Sequence, residues 1–178
     1  SLFGLNPETA SGVPVMSYMT NSLSIALLAT ALSVPIGTAA GYAFSRYSFI
    51  GKKFGLLSLL VTQMFPATML LLPMYIMLVQ LHLINTFIGI VIMYSATALP
   101  FCIWQMKGYY DTIPVSLEEA GRIDGASQFQ IFFKIILPLA SPALVITALF
   151  SFMAAWTEYV VAAQILQGLG YRVLTASD

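Results

Sequence analysis

Charged side chains are scarce in this sequence. Only 8% of its 178 residues are Asp, Glu, Lys or Arg, whereas 59% are hydrophobic, and soluble domains usually carry about 25% charged residues. No acidic or basic residue occurs between Phe54 and Met106, an interval long enough for two membrane spans of about 20 residues each. The scarcity of charge therefore excludes a soluble globular domain and indicates an integral membrane protein.

Further absences exclude several kinds of site and partner. Cys102 is the single cysteine, which excludes an internal disulfide and a multi-cysteine metal site. His82 is the single histidine and has no second ligand at a metal-binding spacing. Seven basic and seven acidic residues cancel and form no basic stripe, which argues against a nucleic acid partner. Since no GxxxxGK(S/T), HExxH or GxSxG motif occurs, we expect no catalysis, no bound cofactor and no metal.

Four hydrophobic runs are long enough to span a membrane, near residues 21–44, 54–81, 85–106 and 142–166. The predicted fold class is therefore all-α, a polytopic membrane helix bundle. Basic residues follow the first and third runs and are absent after the second. By the positive-inside rule, the first and third connections are cytoplasmic and both ends of the chain are extracytoplasmic, although Arg172 argues weakly against this orientation.

Small residues and prolines indicate that the predicted spans contact protein as well as lipid. Gly37 and Gly41 form a GxxxG pair, a spacing that lets a second helix backbone approach closely. Packing within one subunit is favoured over a homodimer seam. Pro66 and Pro73 lie inside the second predicted span, where each removes a helical hydrogen bond. We expect that span to be kinked.

The segment between the third and fourth predicted spans, residues 107–138, holds seven of the chain's fourteen charged residues. That concentration indicates an element outside the bilayer. Pro114 suits a first helical turn, and Ser116 with Glu119 three residues later has the form of a capping box. A helix is therefore predicted to begin at this point.

A turn and a second helix are predicted to follow. Gly125 breaks the first helix, and Ser127 with Gln130 repeats the capping-box pattern. The apolar run that follows has helical spacing and is predicted to stop at Pro138. The result is a helix-turn-helix hairpin. Its charges either keep a surface loop in water or form a binding surface for a partner, and the residues alone leave both alternatives open.

The spacing of this segment resembles the EAA loop of permease subunits of ATP-binding-cassette importers. The family pattern is EAA, three residues, G, nine residues, I, any residue, LP. The match begins at Glu119, passes Gly125 and closes with Leu137 and Pro138, and only Gly121 departs from it, standing where the family usually has alanine. The stretches "RIDGAS", "LPLASPAL" and "AAWTEY" are similar to the carbohydrate-importer branch, in particular to the shorter permease of maltose and maltodextrin transporters.

The resemblance implies a permease fold whose cytoplasmic hairpin is a coupling helix seated in a cleft of an ATPase subunit. It implies a second related permease, an ATPase dimer that binds ATP and Mg, an extracytoplasmic sugar-binding protein and a prokaryotic plasma (inner) membrane. It also implies that the chain is a fragment, with one more span before Ser1 and one after Asp178. The docking residues implied are Glu119, Ala120, Gly121, Asp124, Gly125, Ala126, Ser127, Phe129, Leu137 and Pro138.

Polar residues inside the predicted spans are candidates for a translocation path, namely Gln63, Tyr94, Ser95 and Glu158. Sugar hydroxyls need neutral donors and acceptors, but hydrogen bonds between helices use the same groups. Glu158 is predicted to lie in the outer part of the bilayer, where it lines a path or bonds a neighbouring helix. The alternative function is an ion-gradient-driven transporter or channel, a class that usually places ionisable residues near the bilayer midplane.

Overall fold

The structure, a computed structural model, describes residues 15–65, 67–83 and 86–168, with side chains for 19–65, 70, 73–83 and 86–157. Within these ranges all regular elements are helical, which confirms the predicted all-α class. They are α1 (Val15–Arg46), α2 (Lys52–Met64), α3 (Ala67–Gln80), α4 (Phe87–Thr112), α5 (Ser116–Ile123), α6 (Gln128–Ile131), a π-helical turn (Phe132–Ile136), α7 (Leu137–Leu139) and α8 (Ser141–Gly168).

Three long helices form the bundle. Helix α1 packs along α4, and α8 packs against both. Met19–Arg46 and Phe87–Thr112 are each long and apolar enough to cross a membrane, and the bent pair Gln128–Leu139 with Ser141–Thr157 is a third crossing if it counts as one span. These helices occur where long apolar runs require every backbone group to bond within its own segment.

Glycines allow the close contact between α1 and α4. A Cβ atom on Gly37 would overlap Cys102, and a Cβ atom on Gly41 would lie 2.9 Å from the Cβ atom of Met106 and 3.0 Å from the backbone nitrogen of Lys107. The GxxxG pair therefore packs against another helix of the same chain, which is the interpretation that the sequence favoured.

The predicted span 54–81 is two helices rather than one kinked helix. Helix α2 ends at Met64, Phe65 is extended with φ −74° and ψ 133°, and α3 begins at Ala67. Pro66 itself lies outside the described residues, but a proline disfavours helical geometry in the residue before it, which explains the extended Phe65. Pro73 lies inside α3 without ending it. At 13 and 14 residues, both helices are shorter than the roughly 20 residues of a span.

The second arm of the hairpin ends at Leu139, one residue beyond the predicted stop at Pro138. The chain continues through Pro138 to Leu139, turns at Ala140 and enters α8 with a bend of 74°. Pro138 lies in the first turn of α7, directly after the π-helical turn, and its fixed φ is compatible with helical geometry.

Exchanging Gly41 for alanine tests the α1–α4 packing. We expect Gly41→Ala to destabilise the protein by about 1–3 kcal/mol because the new methyl group overpacks the seam. The matched control is Gly108→Ala, also a helical glycine but with open space around it, which should be neutral or stabilising by up to about 1 kcal/mol. Thermal unfolding of the detergent-purified protein measures both, and equal effects would contradict the packing.

Candidate functional site

The first helix of the hairpin, α5, begins without the predicted capping box. Val115 is its N-cap, and no side-chain cap bond is formed there, so the Ser116–Glu119 box is wrong. The first turn instead carries Glu118 and Glu119, whose negative charges are favoured near the positive end of the helix dipole. Because this dipole and the preceding turn already stabilise the helix start, the Ser116 hydroxyl is not needed for it.

The end of α5 is a Schellman turn centred on Gly125. Gly125 has φ +79°, a left-handed conformation that favours glycine. The N–H of Ala126 donates to the carbonyl of Gly121 at 3.0 Å, and the N–H of Gly125 donates to the carbonyl of Arg122 at 3.1 Å. These two bonds satisfy carbonyls at the helix end and reverse the chain direction.

The second helix of the hairpin begins with the capping box that the sequence predicts. The N–H of Gln130 donates to Ser127 Oγ at 3.4 Å, and the N–H of Ser127 donates to Gln130 Oε1 at 2.8 Å. Gly121 on α5 faces this helix, and a Cβ atom there would lie 2.9 Å from Ile135 Cδ1. The two arms of the hairpin are therefore in close contact.

Four polar side chains, which we call the anchor, join the hairpin to the end of α1. They are Tyr42, Arg46, Glu118 and Gln128. Arg46 Nε donates to Glu118 Oε1 at 2.5 Å, and Tyr42 Oη donates to Glu118 Oε2 at 2.8 Å. Gln128 Nε2 donates to Tyr42 Oη at 2.6 Å, while Arg46 Nη2 donates to the carbonyl of Ile113 at 2.8 Å. The anchor thus links α1, the end of α4 and both arms of the hairpin.

The central ion pair of the anchor is buried. The Glu118 and Arg46 side chains are only 1% and 9% exposed. A buried charge that loses its partner costs about 3–5 kcal/mol, so each member holds the other in place. Arg122 Nη2 also lies 3.8 Å from Glu118 Oε2, but its side chain is 54% exposed, and such pairs contribute at most about 1 kcal/mol.

A second, exposed set of contacts joins α1 to α4 at the same end of the bundle. Ser45 Oγ donates to Asp111 Oδ1 at 2.6 Å, and Lys107 Nζ lies 2.6 Å from Asp111 Oδ2. The Lys107–Asp111 pair has the i,i+4 spacing and contributes about 0.3–0.5 kcal/mol. It orients the helix ends but stabilises them less than the buried pair does.

The outer surface of the hairpin combines acidic and apolar side chains. We call it the tip, and it comprises Glu119, Ala120, Ile123, Asp124 and Phe129, all of them exposed. Ile123 is 87% exposed and Phe129 is 77% exposed. Exposed apolar side chains bordered by polar residues are typical of a protein-binding surface.

The other predicted docking residues are divided between the surface and the interior. Gly121 is buried against the second arm of the hairpin, whereas Gly125 and Ser127 are exposed in the turn. Ala126 and Leu137 are half-buried, and Pro138 is exposed in α7.

The predicted path residues are brought together only in part. Ser95 is buried and donates to the carbonyls of Val91 at 2.6 Å and Ala29 at 3.3 Å, so it holds α4 against α1. Tyr94 is buried beside it and lines a cavity between α4 and α8. Gln63 is exposed on α2, and the side chain of Glu158 lies outside the described residues. The cavity is lined by Tyr94, Thr97, Ala98, Phe101, Phe150, Ser151, Ala154 and Ala155.

An apolar helix bundle with a polar hairpin fixed to one end defines the class of polytopic membrane proteins built from helices. The chain belongs to the family described as binding-protein-dependent transport system inner membrane component, whose profile matches residues 33–178. It is 38% identical to a probable ABC transporter permease protein of Pyrococcus horikoshii over 86% of this chain and 56% of that protein. It is 36% identical to a maltodextrin transport system permease protein of Streptococcus pneumoniae over 94% of this chain and 59% of that one.

A solved structure gives the same result for the fold. A chain of a bacterial ABC transporter involved in the import of the acidic polysaccharide alginate matches with a TM-score of 0.69 and 29% identity, over 79% of this chain and 48% of that chain. The chain therefore spans about half to three-fifths of the length of the proteins it matches.

The Ser127 cap offers a test of the hairpin structure. Ser127→Ala should weaken α6 by about 1 kcal/mol because the N–H of Gln130 loses its acceptor. The matched control is Ser116→Ala, which removes a hydroxyl that caps nothing and should be neutral. Hydrogen exchange should accelerate about fivefold at the amides of Gln130 and Ile131, which bond to Ser127, for the first variant only. A similar response to both variants would contradict the two helix starts.

Proposed function

We propose that this chain is part of the permease of an ATP-driven carbohydrate importer and that its hairpin docks on a cytoplasmic ATPase subunit. The observation that carries the proposal is an exposed, partly apolar tip held on the membrane bundle by a buried ion pair. A loop that only kept charges in water would need neither the buried pair nor the exposed Ile123 and Phe129. Membership of the binding-protein-dependent family supports the same function.

The proposed partners follow from this function. A second, related permease completes the path, an extracytoplasmic binding protein delivers the sugar, and an ATPase dimer binds ATP and Mg. This chain contributes helices and a docking surface and no catalytic group. Glu119 is the side chain proposed to pair with a basic residue of the ATPase, because it is exposed on the first turn of α5 and has no role in the anchor.

The proposed substrate is an oligosaccharide of the maltodextrin type. Two similar proteins are named for a carbohydrate that they transport, which is maltodextrin for one and alginate for the other. The cavity between α4 and α8 combines aromatic rings with hydroxyl groups, as in Phe101, Phe150 and Thr97. Aromatic faces and neutral hydroxyls suit a sugar better than an ion.

The proposed orientation places the hairpin in the cytoplasm of a prokaryotic cell and the opposite end of the bundle outside. Arg46 and Lys107 lie at the same end of α1 and α4, joined through Ser45 and Asp111. Arg122 and Lys134 follow in the hairpin segment at that end. A cluster of basic residues at one membrane side supports a cytoplasmic position.

In the proposed cycle, ATP binding closes the two ATPase subunits and moves the hairpins seated in them. The helices attached to the hairpins then switch between inward-open and outward-open arrangements. Hydrolysis of ATP resets the cycle. The chain's own task is to hold the tip in shape and to pass its movement to the bundle.

Reversing the charge of Glu119 tests the docking proposal. In proteoliposomes that hold the complete transporter, Glu119→Lys should abolish ATP-dependent sugar uptake and reduce co-purification of the ATPase at least about tenfold, because a like charge replaces a pairing one. The matched control, Lys53→Glu, reverses an exposed charge outside the hairpin and should keep both. Sugar uptake that persists without nucleotide or ATPase would contradict the importer and favour a gradient-driven carrier.

A further inference from the structure

The two adjacent glutamates of α5 face opposite surroundings. Glu118 is 1% exposed and directed at the bundle, whereas its neighbour Glu119 is exposed. Successive residues of an α-helix are separated by about 100° around its axis, so one helix can present one carboxylate to each side. We infer that Glu118, through its ion pair with Arg46, positions the hairpin and passes its movement to α1, while Glu119 meets the partner.

The inference rests on the proposed function and adds the route by which the movement enters the membrane. The principal backbone neighbours of α5 are α6 and the π-helical turn, both within the hairpin segment. Its side-chain link to the bundle is Glu118, which accepts from Arg46 and Tyr42 of α1. A displacement of the hairpin therefore reaches α1 through this carboxylate, beside the buried apolar cluster of Ile131 and Ile136 with Tyr42.

The second arm of the hairpin reaches the same point on α1. Gln128, the first residue of α6, donates to Tyr42 Oη at 2.6 Å. The Phe132 ring lies 4.8 Å from the Tyr42 ring between centroids. Both arms of the hairpin thus contact Tyr42, directly or through Glu118. We therefore expect α1 to be the helix that receives the movement of the hairpin.

The hydrogen bonds of Glu118 fix the orientation of the hairpin relative to α1 as well as its position. Both carboxylate oxygens of Glu118 are used by donors of α1, and Arg46 is fixed further by the carbonyl of Ile113. Separating a buried charge from its partner is strongly destabilising, because the charge is then left unpaired away from water. The hairpin and α1 are therefore held in one relative position.

Helix α1 is suited to carry the movement further. It extends over 32 residues, and it packs along α4 and α8 over the length of the bundle. At its other half, Ile25, Ala26 and Ala29 are buried in a cluster with Tyr94 and Ala155. A shift of the Arg46 end is thereby transmitted towards the residues that line the cavity between α4 and α8.

The test measures coupling rather than assembly. In proteoliposomes with the complete transporter, we expect Arg46→Gln and Glu118→Gln each to raise the number of ATP molecules hydrolysed per sugar imported about fivefold or more. The ATPase should still co-purify, and its KM for ATP should stay unchanged. The double variant should match the single variants within about twofold, because both remove the same pair.

Two further variants keep the test decisive. Tyr42→Phe removes one hydroxyl with little change of shape. It should raise the number of ATP molecules hydrolysed per sugar imported, but less than the charge variants do. This variant tests the inference even if the charge variants fail to fold. Lys107→Gln is the matched control, since it removes a basic group at the same end of the bundle that pairs with the 46% exposed Asp111, and it should keep the native ratio of ATP hydrolysed to sugar imported. The inference is overturned if the single variants of Arg46 and Glu118 keep the native ratio, or if the effects of these two variants add in the double variant.

Hydrogen exchange separates this inference from the proposed function. If the native transporter shows no ATP-dependent sugar uptake, the proposed function fails, but the anchor can still be examined. Amides of 116–131 in the purified protein should then exchange faster by the same factor in Arg46→Gln and Glu118→Gln. Unchanged exchange in both variants would overturn the anchor.

Discussion

The buried ion pair between Arg46 and Glu118 is the polar interaction that fixes the hairpin on the end of the helix bundle. The hairpin buries apolar side chains against the bundle, since Ile131 and Ile136 lie in one buried cluster with Tyr42, Met106 and Tyr110. A carboxylate and a guanidinium removed from water and bonded through several donors fix position and orientation together. Capping and the glycine turn form the hairpin, whereas the buried apolar cluster and the anchor together place it on the bundle.

Helix α1 connects the anchor to the rest of the bundle, because it packs along both α4 and α8. Gly37 and Gly41 bring its backbone close to α4, so the two helices touch over a long seam without large side chains between them. A buried hydrogen bond of 3.0 Å between Ser33 Oγ and Ser151 Oγ joins α1 to α8 in the same region. By contrast, the chain is interrupted at Phe65 between α2 and α3 and bent at Ala140 before α8. Among the described helices, α1 is the long one that carries the anchor at its end.

Sequence reasoning recovered the parts of the fold that local chemistry determines. The uncharged runs became helices, the GxxxG pair became an internal seam, and Gly125 and Ser127 formed the turn and the cap predicted for them. The hairpin was therefore largely predictable. The predictions from sequence were wrong where the surrounding structure outweighs the local pattern. At Ser116, the preceding backbone turn and the helix dipole make a side-chain cap unnecessary.

The anchor was missed for a different reason. Arg46 and Glu118 are far apart in sequence, and only the packing of α1 against α4 brings them together. The available signal was the adjacent pair Glu118–Glu119 on one short helix, since side chains about 100° apart around a helix axis point in different directions. Ser95, by contrast, was predicted to line the translocation path because its side chain is polar. Its hydroxyl instead donates to backbone carbonyls of the bundle.

The most direct test of the account is the distance between α1 and the hairpin during the transport cycle. Spin labels at Ile36 on α1 and Ser116 on α5, both exposed, would be measured by electron–electron double resonance in the complete transporter. We expect the same narrow distance distribution without nucleotide and with ATP bound, because the anchor makes the two helices one rigid unit. A distribution that shifts between the two states in the native protein would contradict it.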